Sequence, residues 1–195
     1  MENSKPNSKK KIVVFASGNG TNAVNIYHYF REHDDVEVSH IVSNNKKSRV
    51  LRRAHDLGIK CIHFDKEDLY DSTNLLEVIQ EINPDVIALA GFLLKIPEPF
   101  LRAFPNQIVN IHPSLLPDYG GDGMYGERVF KRILKDKRTE SGITIHYVSE
   151  NYDEGEIIAQ HKVELEGNED LNSLEEKIHG LEYEHYPKEI EKLLY

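Results

Sequence analysis

The alternation of short apolar segments with segments of helical periodicity constrains the fold of this chain more than any other feature. The first apolar segment, residues 12–16, is rich in β-branched side chains and lacks polar alternation, as a strand buried on both faces should. Strands are predicted over residues 12–16, 36–42, 60–64, 86–90 and 107–111, with helices over residues 23–31, 48–57, 75–82 and 98–103 between them. This order is typical of an α/β fold with a doubly wound, mostly parallel sheet and helices on both faces.

The spacing of the segments changes in the second half of the chain. After a predicted helix over residues 125–134, two strands at residues 144–148 and 157–163 are separated only by a short acidic connection. A connection this short favours an antiparallel hairpin at one edge of the sheet. Residues 171–194 are predicted to form one or two helices, with Pro187 as a break or bend. We therefore expect a single domain over residues 12–195, preceded by a disordered polar tail over residues 1–11.

The composition argues against several classes of protein. The formal net charge is −9, whereas a surface that binds nucleic acid is usually basic. Cys61 is the only cysteine, which excludes an intrachain disulfide or a cysteine-based zinc site, and its apolar neighbours predict a buried structural thiol. No apolar run approaches the ~20 residues that a membrane-spanning helix requires. We expect a cytoplasmic protein that binds small molecules, without nucleic-acid or membrane partners.

A glycine-rich turn, Ser17-Gly18-Asn19-Gly20-Thr21-Asn22, joins the first predicted strand to the first helix. Glycines let the backbone approach an anion, and the free amides of a helix N-terminus favour negative charge, so a phosphate is the expected ligand. The dinucleotide pattern would require an acidic residue after the second strand, and an ATP-binding loop would require Gly-Lys-Ser/Thr; both are absent. The turn therefore fits a monophosphate. The alternative is a tight turn in which Thr21 or Asn22 caps the helix.

Asn110 and His112 lie at the end of an apolar strand, immediately before a loop with two prolines. Residues i and i+2 of a strand share a face, so both side chains are expected to reach one cleft. This pair suits chemistry at a carbonyl group, because the amide can stabilise an oxyanion while the imidazole moves a proton. The alternative is a strand end whose polar side chains only satisfy local backbone groups.

The connection between the two late strands, residues 151–157, is acidic. An aspartate close to His112 would orient the imidazole and raise its pKa. Acidic connections are more often solvated turns, and the residues alone do not distinguish Asp153 from Glu150, Glu154 or Glu156.

Four ordered motifs together resemble the phosphoribosylglycinamide formyltransferases of the formyltransferase superfamily, over residues 11–186. They are Ser17-Gly18-Asn19-Gly20-Thr21-Asn22, Ala90-Gly91-Phe92, Asn110-Ile111-His112-Pro113-Ser114-Leu115-Leu116-Pro117, and Asp153 within His146-x-Val148…Asp153-x-Gly155. The resemblance implies the formyltransferase fold and direct transfer of a formyl group from 10-formyltetrahydrofolate, the co-substrate, to the amine of glycinamide ribonucleotide in purine synthesis. It implies no metal ion and no covalent enzyme intermediate.

The resemblance also assigns residues. The catalytic residues are Asn110, His112 and Asp153; the ribonucleotide-binding residues are Gly20, Thr21, Asn22 and Glu182; the folate-binding residues are Lys66, Leu93, Leu94, Lys95, Ile96 and Asn110. Relatives occur as monomers and as weak homodimers, and the sequence does not choose between these states.

The chain departs from the family pattern in two places. Residues 118–126 are richer in glycine than is usual, which predicts a mobile loop beside the folate cleft. His179 occupies a position where many relatives carry a basic residue near the phosphate, so phosphate affinity is expected to depend on pH. The tight turn of the family would suit a cis peptide at Leu116-Pro117, but the sequence alone does not decide between cis and trans.

Other activities stay open at this stage. Methionyl-tRNA formyltransferases share the Asn, His and Asp but carry a C-terminal tRNA-binding domain, and formyltetrahydrofolate hydrolases carry an N-terminal regulatory domain; we expect neither here. A non-catalytic nucleotide-binding module on the same fold would be expected to have lost one catalytic group, whereas all three are present.

Overall fold

The computed structural model describes residues 9–195. The strands are β1 Lys10–Phe15, β2 Val36–Ser43, β3 Lys60–His63, β4 Val86–Leu89, β5 Ile108–His112, β6 Glu140–Tyr147 and β7 Ile157–Glu164. The helices are α1 Thr21–Phe30, α2 Arg49–Asp56, α3 Lys66–Tyr70, α4 Asn74–Ile82, α5 Glu98–Ala103, α6 Glu127–Lys135 and α7 Leu171–Leu194.

The beginning of β1 corrects the predicted tail. Lys10 and Lys11 belong to the sheet, where they pair with Val36 and Glu37 of β2. The amide of Lys10 also donates to the carbonyl of Asp35 at 2.8 Å, because backbone pairing does not require apolar side chains. Residues 1–8, the rest of the predicted tail, lie outside the described part of the chain.

The seven strands form one sheet in the order β3-β2-β1-β4-β5-β6-β7. Strands β1 to β5 pair in parallel, and β5–β6 and β6–β7 pair antiparallel, which confirms the predicted doubly wound sheet with an antiparallel edge hairpin. The chain first builds outward from β1 to β3 and then returns to add β4 on the other side of β1. A crevice forms at such a reversal, at the carboxyl ends of the strands, and open α/β sheets bind ligands there.

Helices cover both faces of the sheet. Alternate residues of β1 point to opposite sides: Ile12 and Val14 join the apolar cluster under α1, α2, α6 and α7, while Val13 and Phe15 join the cluster under α3, α4 and α5. Each buried side chain of this size contributes about 1.5–3 kcal/mol to folding. The lack of polar alternation in the sequence of β1 therefore reflects burial on both faces.

Of the predicted alternatives, one helix or two, the structure has one: helix α7 continues through Pro187 without a break. Proline lacks the N–H that would bond to the carbonyl four residues earlier, which belongs to Tyr183. The side chain of Asn25, on α1, donates to this carbonyl at 2.8 Å. A contact between helices thus replaces the missing backbone hydrogen bond.

Two further expectations need correction. Helix α3 was not predicted, because its five residues are too few to show periodicity. Cys61 is exposed and not buried, because β3 is the edge strand of the sheet and only one of its four residues is even partly covered.

Candidate active site

A cavity of about 390 Å³ opens at the carboxyl ends of β4 and β5, and we call it the main cavity. Strand β5 contributes Asn110 and His112, and the first half of α7 contributes His179 and Glu182. A smaller side cavity adjoins it, since Phe92, Asn110, Tyr152 and Asp153 line both. The predicted strand-end residues therefore share one cleft, as their spacing indicated.

His112 is 3% exposed, and its ring is held from two sides. Nε2 lies 2.8 Å from the carbonyl oxygen of Tyr119, which fixes Nε2 as the protonated nitrogen. Nδ1 faces the Asp153 carboxylate, with 3.4 Å between Nδ1 and Oδ2. A proton that arrives at Nδ1 therefore completes an ion pair with Asp153.

Asp153 lies in the connection between β6 and β7, in the left-handed region with φ +58°. Its Oδ2 also accepts a hydrogen bond from the amide of Gly121 at 2.9 Å. Burial raises the pKa of Asp153, but hydrogen bonding to His146 and the charge of His112 outweigh burial, so this pKa lies below its ordinary value. The carboxylate is therefore ionised at neutral pH and available as the partner of an imidazolium.

Burial controls the pKa of His112. Burial lowers this pKa more than Asp153 and the Tyr119 carbonyl raise it, and the net pKa lies below the ordinary value. The contribution of Asp153 has the predicted sign, but the loss of solvation on burial is larger and was not part of the prediction. His112 is thus mainly neutral at pH 7.

His146 belongs to this cluster and had received no role from the sequence. It pairs with Asn110 across β5 and β6, and its Nε2 lies 3.2 Å from Nδ2 of Asn110. Nδ1 of His146 lies 2.8 Å from the Tyr147 carbonyl, and its Nε2 also lies 3.6 Å from Oδ1 of Asp153. His146 thus contacts both the Asn110 amide and the Asp153 carboxylate and positions that amide. The antiparallel pairing of β6 with β5 brings His146 to Asn110, and no local sequence pattern predicts that pairing.

The glycine-rich turn requires glycine at Gly20. Gly20 has φ +72°, and a Cβ atom there would lie 2.1 Å from Cγ2 of Val50 on α2. Within residues 9–195, no side chain caps α1, so the alternative in which Thr21 or Asn22 is a cap does not hold. The first amides of α1 are therefore free to bind an anion.

Asn22 connects the turn to the main cavity. Its Nδ2 donates to Oε2 of Glu182 at 2.8 Å, and its buried Oδ1 has no hydrogen-bond partner in the described part of the chain. Glu182 is 6% exposed, and burial raises its pKa. Nε2 of His179 lies 3.8 Å from Glu182 and 3.9 Å from Glu175. Glu175, His179 and Glu182 form a polar end of the main cavity, and Asn22 joins that end to the turn.

The predicted folate segment lies on the opposite side of Asn110. Leu94, Lys95 and Ile96 line the side cavity, whereas Leu93 is 50% exposed at the mouth of the main cavity. The amide of Leu93 donates to Oγ of Ser17 at 3.1 Å, which ties this segment to the glycine-rich turn.

Lys66 is the exposed first residue of α3 and is not among the described residues that line either cavity. The contact from α3 to the folate segment comes instead from its last residue, Tyr70.

Residues 121–126 of the glycine-rich loop form a wall of the main cavity, and the loop follows a cis peptide at Leu116-Pro117. At Gly120 a Cβ atom would lie 2.5 Å from Cδ2 of Leu116 and 3.2 Å from Cβ of Asp153. The glycines thus let the loop approach Asp153 closely enough for the Gly121 amide to bond to it.

Comparison with known proteins agrees with this geometry. Residues 10–190 match the formyl transferase family model. The chain belongs to this family. It is 36% identical over 191 residues to phosphoribosylglycinamide formyltransferase of Bacillus subtilis, and the matched region covers 95% of each chain. It is 35% identical to the chloroplastic phosphoribosylglycinamide formyltransferase of Vigna unguiculata, over 95% of this chain and 61% of that protein.

Among solved structures, glycinamide ribonucleotide transformylase 1 of Geobacillus kaustophilus superposes with a TM-score of 0.86, at 34% identity, over 96% of this chain and 100% of that one. The predicted resemblance and fold class are therefore confirmed. The chain spans about three fifths of the length of the plant relatives that it matches. The helices within residues 9–195 include none long and apolar enough to cross a membrane.

Proposed function

We propose that this formyl transferase transfers the formyl group of 10-formyltetrahydrofolate to the amine of N1-(5-phosphoribosyl)glycinamide. The products are formylglycinamide ribonucleotide and tetrahydrofolate. One observation carries the proposal: Asn110, His112 and Asp153 line one cavity. Glu182 in the same cavity is hydrogen-bonded to Asn22 of the glycine-rich turn, and Leu93 of residues 93–96 also lines it.

The polar end of the main cavity suits the ribonucleotide. The uncapped amides of Gly20, Thr21 and Asn22 would bind the phosphate, since the N-terminus of α1 carries partial positive charge. The Glu182 carboxylate and the unpartnered Oδ1 of Asn22 would accept hydrogen bonds from the ribose hydroxyls. His179 lies beside them and would contact the phosphate when it is protonated.

The side cavity suits the pterin edge of the folate. Leu94, Lys95 and Ile96 contribute backbone groups for hydrogen bonds and apolar atoms to cover a ring face, as small-molecule sites usually do. Leu93 would cover the ring at the mouth. Because Asn110 lines both cavities, the formyl carbon would lie beside it when both substrates are bound.

The chemistry then follows from the positions of the side chains. The amine attacks the formyl carbon, a carbon–nitrogen bond forms, and the carbonyl electron pair moves to oxygen. An N–H of Asn110, held in orientation by His146, donates to this oxyanion. Neutral His112 accepts the proton of the amine, and Asp153 stabilises the resulting imidazolium. The proton passes to N10 of the folate as the bond from the formyl carbon to N10 breaks. These steps need no metal ion.

The test is an assay of formyl transfer with both substrates. His112→Ala is expected to lower kcat by about 10²–10⁴, the usual contribution of a general acid or base. His55→Ala, at a side chain that is 89% exposed, is the matched control and should retain wild-type activity. Undiminished turnover in His112→Ala would remove this residue from the mechanism.

The substrate is tested in the same assay. Formylation of methionyl-tRNA with none of the ribonucleotide would overturn the proposed substrate. Binding of both ligands by the wild type without turnover would favour a non-catalytic module. A cytoplasmic location and a monomeric or weakly dimeric state stay predictions, to be measured by fractionation and by sedimentation.

A further inference from the structure

Two tyrosine side chains lie beside residues 94–96. The hydroxyl of Tyr70 donates to the carbonyl oxygen of Lys95 at 2.8 Å. Tyr152 lines the side cavity together with Leu94, Lys95 and Ile96. Burial raises the pKa of Tyr152, and hydrogen bonding to the Lys95 backbone opposes that rise.

The two phenols come from separate parts of the chain. Tyr70 is the last residue of α3, whose first turn is fixed by reciprocal hydrogen bonds between Asp65 and Asp68 and whose Leu69 is 3% exposed. Tyr152 immediately precedes Asp153. Lys95 therefore lies between an anchored helix and the connection that carries the buried carboxylate.

The peptide they hold lies in an irregular segment. Residues 94–96 belong to no helix or strand, so their backbone groups have no ladder to fix their direction. The side cavity that they line measures about 40 Å³, so a small displacement of the Lys95 backbone changes its shape substantially. A ligand site on such a segment depends on side chains that fix the backbone in advance.

We propose that Tyr70 and Tyr152 are positioning residues for the folate. Their hydroxyls hold the Lys95 peptide so that the remaining backbone groups of residues 94–96 are preorganised for the pterin edge. Tyr152 also links this segment to Asp153, so the pterin site and the catalytic carboxylate share one support. The identity of the ligand rests on the proposed function; the hydrogen bond from Tyr70 does not.

The test compares Tyr70→Phe, Tyr152→Phe and the double variant with the wild type. Tyr70→Phe removes only the hydroxyl, and the KM for 10-formyltetrahydrofolate should rise three- to tenfold, the usual cost of one hydrogen bond. The KM for the ribonucleotide and kcat should change by less than twofold. The dissociation constant of tetrahydrofolate, measured by calorimetry, should rise in parallel.

Two further measurements distinguish positioning from general destabilisation. Both hydroxyls act on one peptide, so their effects should not be independent. The fold-loss of tetrahydrofolate affinity in the double variant should therefore be smaller than the product of the fold-losses in the two single variants. Hydrogen exchange at residues 94–96 should be faster in ligand-free Tyr70→Phe than in the wild type. Tyr195→Phe, which removes a phenol that donates to Asp35 at 2.6 Å, is the matched control and should change none of these values.

The outcomes separate this inference from the proposed function. If the wild type transfers formyl and Tyr70→Phe and Tyr152→Phe both keep the wild-type folate KM, the positioning inference is wrong and the proposed function stands. If both KM values rise equally, the tyrosines act through general stability and the inference is also wrong. If the wild type neither transfers formyl nor binds tetrahydrofolate, both proposals fail together.

Discussion

Gly20 and Gly18 allow a sharp test of the glycine-rich turn, because they lie two residues apart in very different surroundings. An alanine at Gly20 would place its Cβ 2.1 Å from Cγ2, 2.4 Å from Cβ and 2.9 Å from Cα of Val50, on a backbone with φ +72°. At Gly18 the described part of the chain has no atom within 4 Å of the added Cβ, and the backbone needs no glycine.

The cost of Gly20→Ala is the sum of two effects. A Cβ in the left-handed region costs about 1–2 kcal/mol. Contact with the backbone of α2 cannot be relieved by a side-chain rotation alone, and such overpacking costs about 1–3 kcal/mol. The expected loss is about 2–5 kcal/mol, which lowers the Tm of a chain of this size by about 4–20 °C. Gly18→Ala should change the Tm by no more than about 2 °C.

Binding should change with the same asymmetry. Because α2 and the turn must separate to admit the methyl group, the amides of α1 move away from the phosphate. We expect calorimetry on folded Gly20→Ala to show a larger loss of affinity for the ribonucleotide than for tetrahydrofolate. Equal Tm values for the two alanine variants, or equal losses for both ligands, would refute the reasoning.

Three further predictions concern the acidic connection and a second pair of glycines. Asp153→Asn should lower the pKa of His112 further, because the favourable carboxylate is lost, and an unchanged NMR titration would contradict this. The pKa of Asp153 is lower in the folded than in the unfolded chain, so its ionisation stabilises the fold at pH values above the unfolded-state pKa. This stabilisation is lost as the pH falls through the folded-state pKa. Denaturant titrations of Asp153→Asn should lack that pH-dependent loss of stability. Gly155→Ala would place Cβ 1.6 Å from the Tyr147 carbonyl oxygen, so it should prevent folding or lower the Tm by more than 10 °C. Gly180→Ala, within α7, should instead raise the free energy of unfolding by about 0.5–1 kcal/mol.

The elements that follow from local periodicity were predictable from the sequence. The unbroken apolar run of β1 predicted burial on both faces, and its residues divide between the two apolar clusters. The i, i+2 spacing of Asn110 and His112 predicted a shared cleft, and both line the main cavity. In each case the deciding physics acts within a few residues of the chain.

The features that depend on strand order or on register were not predictable from local patterns. Cys61 is exposed because β3 is an edge strand, and that position follows from the topology of the whole sheet. Of the acidic residues in this connection, Asp153 contacts His112. The amide of Gly121, in another loop, binds the Asp153 carboxylate and holds it in that position. Only the resemblance to a family singled out this aspartate from its acidic neighbours.

The position of α7 shows how one buried contact determines a distant part of the site. The hydroxyl of Tyr186 lies 2.9 Å from the carbonyl of Leu89, at the carboxyl end of β4, and 3.2 Å from that of Val109, the second residue of β5. Residues four and seven positions earlier on a helix lie on the same face, so this anchor places Glu182 and His179 toward the crevice. A helix displaced by one residue would turn both side chains away from it. The periodicity of α7 predicts which residues share that face, but the hydroxyl of Tyr186 fixes the register that brings them to the cavity.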